Sequence, residues 1–100
     1  MIPQKTINEL INKHSNLEKD LSSGRIEKKL FAEKSKEYAD LNEIINIAKK
    51  YISFEKDKSE IEKILDENNA DEELARMAKT ELENLKSENQ NNEKILKLFL

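Results

Sequence analysis

Ile7, Leu10, Leu17 and Leu21, with His14 filling the intervening place, recur at alternating steps of three and four, the spacing of one helix face. The stripe predicts a first helix over about residues 3–21. Pro3 stands where a helix tolerates proline, in its first turn, and Ser22, Ser23 and Gly24 end the pattern. Gly24 suits the left-handed conformation that closes a helix, so a sharp reversal is expected there.

The next stretch, about 25–66, contains no Gly or Pro and predicts one long helix, roughly 60 Å at 1.5 Å per residue. Its first half carries apolar residues on more than one row: Leu30, Phe31, Tyr38, Leu41, Ile44, Ile45, Ile47, Ala48, Tyr51 and Ile52. So broad a face suits two partner helices. After Phe54 the polar run 55–60 thins the pattern before Ile61, Ile64 and Leu65, which suits a single partner.

Residues 66–71 form the other expected turn, with Asn69 or Asp71 as the cap of a third helix over about 71–99. A three-four repeat then runs through Ala75, Ala78, Leu82, Leu85, Asn89, Asn92, Leu96 and Phe99, a coiled-coil seam interrupted by two asparagines. Antiparallel return of each helix on its neighbour predicts an all-α fold in one domain, residues 1–100. It is an elongated three-helix bundle with a three-helix base, including Leu30 to Ile52 and Ile95 to Leu100, and a coiled-coil-like two-helix tip.

Composition supports that class. Charged residues are 39% against 36% hydrophobic and 5% aromatic, the balance of long amphipathic helices. The single Gly and single Pro leave little loop chemistry, and catalytic groups are usually carried on loops, so a binding module is expected rather than an enzyme. The absence of cysteine removes disulfides and thiolate metal sites and fits a reducing cytosol. A net charge of -3 argues against a surface devoted to neutralising phosphate and leaves room for local basic contacts alone. Faces mixing both charge signs do not suit a membrane surface, and no apolar run makes a signal peptide or a span. A cytoplasmic protein without cofactor, metal or small-molecule substrate is expected.

The candidates for chemistry each have a plainer reading. His14, the only histidine, is either a base or metal ligand or an ordinary half-buried residue of a helix interface. No second ligand at suitable spacing accompanies it on its face, so the interface reading is preferred. Asn89 and Asn92, placed by antiparallel pairing near Ala48 and Tyr51, either fix the register or are wet, and both readings stand. The acidic group Asp66, Glu67, Asp71, Glu72 and Glu73 either meets a basic protein surface or is a solvated turn. Glu72 with Arg76, and Glu93 with Lys97, have the favourable i,i+4 order.

Three stretches carry a resemblance. The opening stripe from Ile7 to Leu21, the run Ser35-Lys36-Glu37-Tyr38-Ala39-Asp40-Leu41 and the run Met77-Ala78-Lys79-Thr80-Glu81-Leu82, followed by the apolar Ile95 to Leu100, resemble the N-terminal domain of bacterial class-1 peptide chain release factors. The resemblance implies a cytoplasmic role in termination at UAA and UAG codons. It also implies contacts with the stalk base of the large ribosomal subunit and with the GTPase release factor, any RNA contact being confined to local residues such as Arg76 and Lys79. The family's Gly-Gly-Gln and Pro-x-Thr motifs do not occur in these residues, which implies a piece of a longer multidomain chain. A monomer is expected, a weak dimer in isolation being the other outcome, and the sequence leaves open whether Leu98, Phe99 and Leu100 are exposed enough to promote one. The alternative is a structural coiled coil self-associating through Ile61, Leu74, Met77 and Leu82.

Overall fold

The structure is a computed structural model that describes residues 1–67 and 71–100. Its described residues form three helices, α1 (Gln4–Ser22), α2 (Lys28–Asp66) and α3 (Glu72–Phe99), and no strand. The all-α expectation therefore holds, with each helix end within three residues of its expected place. The cap expected at Asn69 falls outside the described residues.

α1 starts where proline stops constraining the chain. Pro3 is the cap residue rather than part of the first turn, with ψ at 137°, and its carbonyl accepts from the amides of Thr6 and Ile7. Ile2 and Ile7 occupy the positions that bracket a helix start with apolar side chains, and both are buried. At the other end the Ser22 hydroxyl donates to the Glu18 carbonyl, and both the amide and the hydroxyl of Ser23 donate to that of Asp20, which closes the last turn. Gly24 then takes φ of +70°, as the reversal requires. The connector extends through Glu27, so α2 begins three residues later than the pattern suggested. Ile26 in that connector is half-buried.

The chain divides into two compact units, residues 1–49 and 50–100, with α2 contributing to both. In the first, α1 and the start of α2 run antiparallel: Lys13 pairs with Glu37, and Lys34 with Asp20 at 2.9 Å. Ile7, Leu17, Leu41, Ile44, Ile45 and Ala48 are buried there, the facing stripes that periodicity marked. Leu30 and Phe31 are about half exposed, against expectation. The Asp20–Lys34 pairing explains this, since the first turn of α2 lies beyond the last residue of α1.

In the second unit Lys50 meets Glu88 at 3.1 Å, which fixes the antiparallel register of α2 and α3. Ile61 and Ala78 are buried, and Leu65, Leu82 and Leu85 half-buried. Asp71 caps α3, its carboxylate accepting from the Glu73 amide at 3.2 Å. Glu72 and Glu73 in the first turn and Lys97 in the last complement the helix dipole. Leu96 is fully buried, whereas Leu98 is 89% exposed and Phe99 and Leu100 are also exposed. Of the apolar run expected at the base, Ile95 is half-buried and Leu96 buried, and the exposure of the last three apolar residues, which the sequence left open, is thereby given. Leu98 lies two residues, about 200°, around the helix from Leu96.

Candidate partner-binding surface

The first question for any site is whether a side chain here is placed for bond-making chemistry. His14 is only 9% exposed, its Nε2 lies 3.0 Å from the Asn42 Oδ1, and its ring stacks on Tyr38 with centroids 4.8 Å apart. Both partners come from α2 within the same unit, so the histidine is a satisfied interface residue, as preferred. Sequence reasoning did not find Asn42 or Tyr38. The signal was available, because Tyr38 and Asn42 are four apart and share a helix face.

Among the described residues no group of three or more His, Asp or Glu side chains converges on a metal-sized site. No helix among them is long and apolar enough to cross a membrane.

What the chain does display is helix surface. Asp66, Glu67, Asp71, Glu72 and Glu73 are all exposed, at the facing ends of α2 and α3. One of the five, Asp71, is committed to its helix cap. Arg76 and Lys79 are exposed one turn further on, and the Glu93–Lys97 pair expected from spacing is formed at 3.4 Å. That pair lies within α3 and spans one of its turns, so it bears on that helix alone.

The seam expected to be free for self-association is largely used within its own unit. Ile61 is buried and Leu82 half-buried, which corrects their place in that list, while Leu74 is half exposed and Met77 is 63% exposed. Asn92 is only 7% exposed, so the wet reading does not hold for it. Asn89 is half-buried, and its Oδ1 is buried without a hydrogen-bond partner. Beside them lies an open-sided hollow of about 160 Å³, walled by Phe54 and Leu85 and edged by Lys50, Asp57 and Glu88.

These features define a class: an all-α protein of antiparallel helix pairs, its outer faces charged and its one histidine engaged in packing. Comparison with known proteins then places it. The PCRF domain profile matches residues 10–100, and the chain belongs to that family. It is 62% identical over 100 residues to peptide chain release factor 1 of Pelagibacter ubique (strain HTCC1062). That alignment covers all of this chain and 28% of the relative, so the chain spans a little over a quarter of the length of the curated protein it matches. No solved structure matches it. The resemblance read from the three stretches agrees with both findings.

Proposed function

We propose that the protein acts in translation termination in the cytoplasm, with residues 1–100 as one helical domain of a longer factor that directs peptide release at UAA and UAG codons. The observation that carries this reading is the 62% identity maintained over every residue of the chain with a peptide chain release factor 1. Identity of that order extends over surface as well as core, and surface positions are where partner contacts are made.

In this reading the domain is not an enzyme. It recognises by contact, its partners being the stalk base of the large ribosomal subunit and the GTPase release factor. Exposed charge of both signs supports such a role. Arg76 and Lys79 supply local RNA contacts, and the acidic ends of α2 and α3 meet basic protein surface. It takes no cofactor and no small-molecule substrate, and it stays monomeric at micromolar concentration.

A chimera tests the proposal. This chain replaces the matching segment of the Pelagibacter ubique relative, and peptide release is measured on ribosomes programmed with UAA, UAG or UGA. The expected result is release at UAA and UAG near the parental rate, and a slower rate when the segment is deleted. A folded chimera no faster than the deletion overturns the reading. Sedimentation of the chain over a range of concentrations checks the monomer, and a concentration-dependent dimer favours the coiled-coil alternative.

A further inference from the structure

One flank of the α2–α3 pair carries apolar side chains into solvent. The contact of Lys50 with Glu88 marks that flank. Steps of seven residues, two helical turns with a drift of only about 20° each, lead from Lys50 to Asp57 and Ile64 on α2, and from Glu88 to Glu81 and Leu74 on α3. Because the two helices run antiparallel, Ile64 and Leu74 arrive opposite one another. Met77 follows Leu74 by one turn on the same edge, and the buried Ile61 and Ala78 close the seam beneath. Ile64 is 44% exposed, Leu74 50% and Met77 63%, so the three form one uncovered apolar strip.

The border of the strip has a single sign. Glu60 lies one turn before Ile64, Glu67 one turn after it, and Glu81 one turn after Met77; all three are exposed. Among the described residues none of these carboxylates has an ion pair. The nearby cations point elsewhere. Lys63 and Arg76 each stand about 100° round their helices from Ile64 and Met77, toward the outer side, and Lys79 about 200° from Met77, on the opposite flank.

We propose that this flank docks a helix of a partner protein whose apolar stripe is edged by lysine or arginine. The groove between two antiparallel helices takes a third at the ordinary interaxial spacing of about 8–10 Å. Ile64, Leu74 and Met77 supply the apolar centre, and the unbranched Met77 adjusts to whichever side chain comes in. Glu60, Glu67 and Glu81 then select a cationic edge. The same carboxylates repel a nucleic acid backbone. A second copy of this chain, docked through its own flank, would set acidic border against acidic border. The proposal rests on the second unit alone and does not depend on the termination reading.

The test is a titration of the chain, with 13C-labelled Ile, Leu and Met methyl groups, against a synthetic amphipathic helical peptide about four turns long. The peptide carries leucine at every third or fourth position and lysine and alanine elsewhere. Comparators are the same residues in scrambled order, the peptide with glutamate in place of lysine, and a short RNA duplex. The expected result is a saturable shift at the Ile64, Leu74 and Met77 methyls, at least about tenfold weaker with the scrambled peptide and absent with the glutamate peptide and the RNA. Leu74→Gln combined with Met77→Gln, both at exposed positions, should leave the melting temperature nearly unchanged and weaken binding about tenfold. Glu60→Lys combined with Glu81→Lys should weaken it severalfold and remove most of its salt dependence. Unperturbed methyls, shifts centred elsewhere, equal binding of the scrambled peptide, or a response of these methyls to the glutamate peptide or the RNA each overturns the proposal. So does undiminished binding by either folded variant, or a dimer of the chain alone that Met77→Gln dissociates.

Discussion

The Nε2 of His14 and the Oδ1 of Asn42 lie 3.0 Å apart across the interface of α1 and α2, and because that oxygen only accepts, Nε2 carries the hydrogen. Tyr38, one turn before Asn42, stacks on the same ring at an interplanar angle of 22°. A buried donor, its acceptor and an aromatic face together hold one ring in one orientation.

His14→Ala removes the hydrogen bond, the stack and most of the packing, and should lower unfolding free energy by about 2–3 kcal/mol. Asn42→Ala, at an exposed residue, should cost about 1 kcal/mol or less. Urea denaturation measures both. Imidazole 15N shifts should show the Nε2-protonated tautomer at neutral histidine, and the opposite tautomer would contradict the assignment.

Leu96 and Leu98 differ by two positions and by almost the whole range of exposure. Leu96→Ala should cost about 2–5 kcal/mol, a large share of the stability of a chain this size, whereas Leu98→Ala should stay within about 0.5 kcal/mol. Equal costs in paired melts would show that the terminal turn of α3 faces otherwise.

Asp71 caps α3 through the Glu73 amide. Asp71→Ala should destabilise by about 1 kcal/mol, and Asp71→Asn by less, since asparagine caps well. Hydrogen exchange at the Glu73 amide should quicken in the alanine variant, and unchanged exchange there would remove the cap from the account.

At Gly24 a Cβ would meet nothing within 4 Å, so the residue is required by its φ of +70° rather than by space. Gly24→Ala should cost about 1–2 kcal/mol, and Gly24→Asn less. A cost well above that in a thermal melt would mean that crowding, not backbone strain, governs the site.

The spacing of apolar residues was sufficient to find all three helices, and local chemistry marked the reversal at Gly24 and offered Asp71, beside Asn69, as the cap of α3. Contacts across a helix interface were less legible. Nothing in the three-four repeat of α1 says that His14 meets Asn42 and Tyr38, because that depends on the axial register of two helices. The register became readable only with the pairs Lys13–Glu37 and Lys34–Asp20 in place. The same register explains why Leu30 and Phe31, apolar in sequence, stay half exposed.

Periodicity, caps and breakers act within a few residues along the chain, so the sequence by itself determined the helices, their order and, through its likeness to relatives, the family. Which face each helix buries at a given turn depends on where its neighbour begins and ends. Only the tertiary structure decided that Asn92 goes inside while Leu98 stays out, and that the Asn89 Oδ1 is buried without a hydrogen-bond partner. Side chains at the same spacing face different surroundings once a second helix lies alongside, and hydrophobicity alone does not encode that.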